Sequence, residues 1–431
     1  MRRGAHRRRR TVGHRGFDRL PHRLSHRARD RSPGGCPVTA GTATPRAVAV
    51  TGLGVLSVGG AGTEALWRLC ANGGGNFRPV EHFDVSGTGA RIAGFVPDTH
   101  GAPAPGSDGR LPYLLHRALA QALADAARRG AHDRARTALV LATTDSAGCA
   151  TAEAWRAWAD GSRESCRPAW APPAEAVRFD GPVLPVGNAS AAGAAALGVG
   201  ADLIRSGVTE RAVVCGVDTI TETAFQGLAS LRTLSPGGCR PFSRSRSGIR
   251  ISECAAALVL DADPGDDSAP PHAYLRGWGS SNEADQAARP ASKGVAKAVS
   301  RALSDAAVPP GDVGYVNAHA AGTRHGDVAE LDALERVFGD RLAGIPVSGS
   351  KAALGHCQGA AGTVEAIVTV LTLARGEVLP TLGLEDVPEQ WSHLDFALGA
   401  PRRSTPPRAG LTVSCGLGGS NVAVVFGRAA A

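Results

Sequence analysis

Residues 47–55 read Ala-Val-Ala-Val-Thr-Gly-Leu-Gly-Val, a short apolar run closed by glycines. A run of this length, bounded by turn signals, predicts a strand buried on both faces. Outward from it the pattern continues with an Ala/Leu helix over 117–129, a strand at 138–144, and a small-residue helix over 189–205 ending at Gly207. Strands at 212–217 and 255–260 follow, and a Gly/Pro/Asp hinge occupies 264–271. The alternation then returns: strand 274–279, helix 293–306, strand 313–318, helix 328–338, strand 346–349, helix 362–375, and strands 410–414 and 421–426. Strand and helix alternating through two successive halves predict an α/β architecture with mixed, buried sheets and a pseudo-duplicated fold.

Composition narrows the function classes. The 431 residues are 43% hydrophobic and 20% charged, enough apolar material for a large core. Aromatics are only 4% against 56 glycines, which favours close backbone packing over an aromatic platform for nucleic acid. The net charge of +8 comes from residues 1–31, where twelve arginines face two acids, Asp18 and Asp30; the rest of the chain carries −2. The body after residue 45 therefore offers no electrostatic support for nucleic-acid binding. Residues 1–45 are rich in Arg, His, Pro, Gly and Ser and are expected to be a disordered extension. It is a basic arm for an acidic partner, an unstructured addition, or an overlong gene start with Val38 as the true beginning. The ordered body is expected as an N-terminal half, 46–262, and a C-terminal half, 270–428.

Nine cysteines are scattered without a CxxC pair, which argues against a disulfide framework or zinc ribbon and fits a reduced cytoplasm. No apolar run is long enough to span a bilayer, and the Arg-rich start lacks the hydrophobic stretch of a secretory signal. A cytoplasmic protein with no metal and no nucleotide site is expected, since no Walker motif, HExxH or clustered His/Cys set occurs.

Four segments carry chemistry. Gly187-Asn188-Ala189-Ser190-Ala191-Ala192-Gly193 is a strand-to-helix turn that sets Ser190 at a helix N-terminus, where backbone N–H groups favour negative charge. Val316-Asn317-Ala318-His319-Ala320-Ala321-Gly322-Thr323 places a histidine at a strand end. Ser350-Lys351-Ala352-Ala353-Leu354-Gly355-His356 runs into a Gly/Ala turn and a helix, and Cys415-Gly416-Leu417-Gly418-Gly419-Ser420-Asn421 is a glycine-rich loop. Each alone has a bland reading: Ser190 as an N-cap, the histidines as hydrogen-bonded core residues, Asn421 as a shaper of its loop.

Together, in this order, the segments resemble the β-ketoacyl-acyl-carrier-protein synthases of the thiolase-like superfamily. The motifs are GLG at 52–54, NAH…GT at 317–323, SK…GH..GAAG at 350–362 and GLGGSN at 416–421. FDVSGTGARIAGFV (83–96) and VLPTLGL…LDFALGAPR (378–402) resemble the type II polyketide branch, with its ketosynthase and chain-length-factor subunits. The resemblance implies a five-layer αβαβα fold of two pseudo-duplicated halves. It implies that an acyl group is taken from a carrier protein by a nucleophile at a helix N-terminus, while two histidines assist decarboxylation of a malonyl thioester. By motif position these are His319 and His356, with Lys351 orienting the site and Glu330 the acid after the first histidine. The N–H groups of Ser190 and Leu417 would form the oxyanion hole, and Thr323 would contact the pantetheine arm. The partners implied are an acyl carrier protein and a second subunit in a homodimer or heterodimer. Phosphopantetheine arrives on the carrier as substrate, so no resident cofactor is expected.

The chain departs from the family at the nucleophile, where Ser190 stands in place of Cys; Cys215, Cys254 and Cys357 fall elsewhere in the motif frame. A thiol with pKa near ~8.5 reaches the thiolate range beside a helix dipole, whereas a hydroxyl needs a general base, for which His319 and His356 are the candidates. Ala321 replaces the usual Thr, Leu417 the usual gating Phe, Ser247 an Asp, and Ser252-Glu253-Cys254 a Gly-Glu-Gly, which implies a reshaped acyl channel. Three readings follow. One is a carrier-dependent acyltransferase, decarboxylase or slow condensing enzyme using Ser190. Another is a silent chain-length-factor partner of a Cys-bearing ketosynthase. The third is an interaction module acting through its basic tail.

Overall fold

A computed structural model describes residues 47–98, 101–129, 136–144, 179–262, 269–283, 289–403 and 407–429. The chain divides into two units, 1–44 and 45–431, and all described residues belong to the second. The expected extension at 1–45 and most of the hinge at 264–271 lie outside the described residues.

The first half supplies strands β1 (Val48–Ser57), β2 (Thr137–Ala142), β3 (Val183–Val186), β4 (Arg211–Asp218) and β5 (Cys254–Ala262). The second supplies β6 (Ala273–Asn282), β7 (Val313–Asn317), β8 (Val347–Ser348), β9 (Ala409–Gly416) and β10 (Ser420–Arg428). Among the described residues these ten, with the two-residue strand Gly60–Ala61 folded back on β1, form one sheet in the order β8-β7-β9-β10-β6-β1-β5-β4-β2-β3. Each half thus repeats one order: its third strand, then second, fourth, fifth and first. The directions repeat as well, with the second strand parallel to the third and fourth and the remaining pairs antiparallel. The halves join where β1 and β6 pair through Val48↔Leu275, Ala49↔Tyr274 and Val50↔Ala273. The duplication read from the sequence is a duplication of topology.

Helices α1 (Arg110–Arg128), α2 (Ala192–Arg205), α3 (Ser292–Ala306), α4 (Gly326–Phe338) and α5 (Ala361–Arg375) complete five layers. Helix α1 covers the outer face of the first half-sheet, and α3 and α4 cover that of the second, while α2 and α5 pack together between them. On β10, Val422, Val424 and Phe426 face the central helices and Ala423 and Val425 face the outer pair. Both faces are covered, so these strands read as near-continuous apolar runs. Glycines mark where backbones meet. A Cβ at Gly52 or Gly54 would lie 2.1 or 2.2 Å from a carbonyl of α1, which explains the Gly-Leu-Gly of the opening strand. A Cβ at Gly193 would lie 2.6 Å from Thr363 N, and one at Gly362 2.3 Å from Ala194 N. The two central helices therefore start side by side, backbone against backbone, and that contact positions the site.

The elements expected from the sequence are present, with ends shifted by a few residues. Helix α1 begins earlier, at Arg110, because Pro112 sits in its first turn, where no N–H is required. Sequence reading misses β3, whose Pro185 is tolerated because the strand is the sheet edge, and helices Thr63–Asn72 and Glu222–Ser230.

Candidate active site

The site is assembled at the starts of the two central helices. After β3 the chain turns through Ala189 at φ 46°, with Ala191 N–H donating to Asn188 O at 3.0 Å and Ala192 N–H to Ala189 O at 3.1 Å. The N-cap position of α2 is taken by Ala191, so the half-buried Ser190 is not the cap residue. The glycine loop after β9 closes on this turn: a Cβ at Gly416 would lie 3.0 Å from Asn188 O, and Ser420 Oγ donates to Asn188 Oδ1 at 2.6 Å.

His319 follows β7, and its backbone is gripped from two sides. Its N–H and that of Ala320 donate to the two oxygens of Glu330 on α4, at 2.5 and 2.8 Å. Its carbonyl accepts from Lys351 Nζ at 2.6 Å, and the same ammonium pairs with Glu365 on α5. His356 stands before α5 with its N–H on Arg250 O at 2.6 Å and its carbonyl accepting from Ser252 N–H at 3.0 Å. The imidazole rings meet edge to face, centroids 5.5 Å apart at 80°.

A cavity of about 1140 Å³ is lined by Ser190, His319, His356, Thr323, Leu417 and Cys415, with exposed Arg232, Arg289 and Arg324 along its wall. Lys351 and Glu330 do not line it; they are buried behind the histidines and hold the His319 backbone. Leu417 is 42% exposed on the glycine loop. The Thr323 hydroxyl accepts from Gly326 N–H at 3.1 Å, the first turn of α4. Asn421 Nδ2 donates to Gly419 O at 3.1 Å and Glu283 Oε1 at 2.9 Å, which shapes the loop.

Electrostatics set the protonation states. Burial first, then the Lys351 charge, hold His356 down to about 3 and His319 well below the usual imidazole range, so both are neutral at pH 7. His356 Nδ1 accepts from Gln358 N–H at 3.0 Å, which assigns the ring proton to Nε2 and makes that atom a donor. Glu330 is pushed up to about 8 by burial, against the two N–H groups it accepts, and Glu365 to about 7 by burial, against Lys351. Among the described residues no group of three or more His, Cys, Asp or Glu is placed to hold a metal ion, and no helix is long and apolar enough to cross a membrane.

The sequence profile of the beta-ketoacyl synthase N-terminal domain matches residues 45–264, and that of the C-terminal domain matches 272–385. The chain belongs to the beta-ketoacyl synthase family. It is 31% identical over 422 residues to the tetracenomycin polyketide synthase ketoacyl synthase alpha subunit of Streptomyces glaucescens, covering 88% of this chain and 97% of that one. It is 30% identical to 3-oxoacyl-[acyl-carrier-protein] synthase 2 of Vibrio harveyi, over 88% and 98% of the two chains. Among solved structures, the ishigamide ketosynthase/chain length factor superposes with a TM-score of 0.77 at 29% identity, over 89% of this chain and 100% of that one. A beta-ketoacyl synthase from Burkholderia phymatum STM815 superposes at 0.78 and 26% identity, over 89% and 99%. The five layers are thus those of the thiolase-like fold.

Within this β-ketoacyl synthase frame three residues escaped the sequence reading. Glu365 is a lone acid in the otherwise uncharged first three turns of α5, a signal that it needs a buried cation. Gln358 acts through its backbone, which no motif reports. Cys415 lines the cavity, a place that its position at the head of the glycine loop does not announce. Burial and then Glu330 raise its thiol well above the ordinary range, so it is no ready thiolate.

Proposed function

We propose that the chain is a carrier-dependent acyltransferase of the β-ketoacyl synthase type, acting on acyl and malonyl thioesters, with Ser190 as the acyl-accepting group. The observation that carries the reading is a pair of buried, neutral histidines sharing one cavity with Ser190. A neutral Nε2–H on His356, joined by His319, suits hydrogen bonding to a thioester oxygen as charge develops there. When the malonyl C–C bond breaks and carbon dioxide leaves, its electron pair passes into an enolate whose oxygen these donors stabilise. In acyl loading, Ser190 Oγ attacks the carrier thioester, the C–S bond breaks, and the hydroxyl proton passes through His319 to the departing pantetheine thiolate. The N–H groups of Ser190 and Leu417 are the oxyanion donors in this scheme. His319 is held well below its usual range by burial first and then the Lys351 charge, so it is a weak base for this step.

Phosphopantetheine is thus substrate, borne by an acyl carrier protein in a polyketide or fatty-acid-like pathway. The oligomer is a homodimer or a heterodimer with a second ketosynthase subunit, a reading supported by the ketosynthase/chain length factor likeness.

The test is intact-mass spectrometry after mixing with acyl-loaded carrier protein, with peptide mapping. A mass gain on Ser190, resistant to neutral hydroxylamine as an oxygen ester is, supports the reading. No gain, together with product formation only beside a Cys-bearing synthase, replaces it with the silent-partner reading, which draws on the same Ser190 and Leu417.

A further inference from the structure

We infer that Asp218 is a positioning residue for His356, acting from the first half of the molecule on the second. Asp218 closes β4, is fully buried, and lies outside the motif segments in the sequence. Among the described residues its carboxylate gathers donors from two places. From the end of the neighbouring strand β2 come Thr143 Oγ1 at 2.6 Å and Thr144 N–H at 3.0 and 3.1 Å. From the turn before α5 comes Gly359 N–H at 2.6 Å. The preceding residue, Gln358, is held to the same strand ends: its Nε2 donates to Thr219 O at 3.0 Å, and Thr144 Oγ1 donates to its Oε1 at 3.4 Å. Gln358 has a φ of 53°, a left-handed conformation that a side chain rarely adopts unless its surroundings impose it.

The consequence falls on His356. The Gln358 N–H that points at His356 Nδ1 is aimed by this imposed turn, and that hydrogen bond keeps the ring proton on Nε2. The joint has no slack: a Cβ at Gly359 would lie 2.7 Å from Thr144 N and 2.9 Å from Asp218 Oδ2. Asp218 therefore touches no substrate, yet it determines which nitrogen of His356 can donate. The inference rests on the proposed use of His356 as a donor, but its geometry is testable without activity.

The experiment combines histidine-selective 15N NMR with decarboxylation of malonyl-carrier by Asp218→Asn, Thr143→Val and Gly359→Ala. In Asp218→Asn an amide N–H faces the donors, the 358–359 turn shifts, and the His356 resonances move from the Nε2–H pattern towards a tautomer mixture. The kcat falls on the order of 10- to 100-fold with KM unchanged. Thr143→Val removes an equally buried partner of Asp218 but keeps the Gly359 bond, so it retains the Nε2–H pattern and a kcat within about twofold. Gly359→Ala, which wedges the joint from the other side, reproduces the Asp218→Asn spectrum and covers the case in which that variant fails to fold. An unchanged His356 pattern in Asp218→Asn and Gly359→Ala overturns the inference, as does Thr143→Val being equally impaired. If the wild-type protein releases no carbon dioxide, the function fails, while the 15N spectra still decide the positioning.

Discussion

The two halves share a strand order and use equivalent strand ends differently. In the first half, the ends of β2 and β4 carry Thr144 and Asp218, which hold the turn before α5. In the second, the ends of β7 and β9 carry His319 and the Gly416–Leu417 loop, which face the cavity and flank the turn before α2. Each half thus grips the start of the other half's central helix. One grip positions the turn that aims an N–H at His356, while the other contains the proposed chemistry. Duplication supplies two frames, and among the described residues both histidines of the cavity come from the second. Ser190 sits on a first-half turn, while the histidines and the Lys351–Glu365 and Glu330 supports behind them all belong to the second half.

That contrast breaks most readily at its buried supports. Lys351→Met leaves Glu365 without its cation, and a loss of about 3–5 kcal/mol is expected from denaturant midpoints at pH 8. A loss under about 1 kcal/mol would mean that the second-half frame does not depend on the pair. His356→Ala removes a donor without removing a support. Carbon dioxide release from malonyl-carrier should drop about 10²–10³-fold while the melting temperature changes little.

Glu330 sharpens the comparison through pH. Its folded pKa, about 8, is raised above the ordinary carboxylate value, so the protonated form is favoured in the folded state. Its stabilising contribution is complete below the unfolded pKa, declines as pH rises above it, and is lost as pH passes 8. Asp327 and Glu365 titrate nearer 6 and 7, leaving Glu330 to dominate this group between pH 7 and 8. Unfolding free energy should fall there by up to about 1.4 kcal/mol per pH unit. Glu330→Gln should flatten that slope, and an unchanged slope would assign it to other groups.

Most of the sheet was legible because both its faces are buried, so β1, β4, β5 and β10 appear as near-continuous apolar runs. β3 was not, since its edge position lets it keep Pro185. At the site, the segments that bring Ser190, His319 and His356 to one cavity were readable, and Lys351 lies buried behind them. What escaped is what backbones and distant partners do. Asp218 meets Thr143 across 75 residues and Gly359 across 141, and no local pattern announces either contact. The tautomer of His356 depends on a backbone N–H at Gln358, and Cys415 became a cavity residue only once β9 was placed beside β7.

In the proposed scheme the two halves contribute separable chemistry, an acyl-accepting Ser190 from the first and a neutral histidine pair from the second. Its most direct test is to measure acyl labelling and carbon dioxide release from carrier-bound substrates by Ser190→Ala. Labelling should disappear while decarboxylation continues within about twofold of the wild-type rate, because the histidine donors and their supports are untouched. Loss of both activities in a folded Ser190→Ala protein, or labelling that survives the substitution, would contradict it.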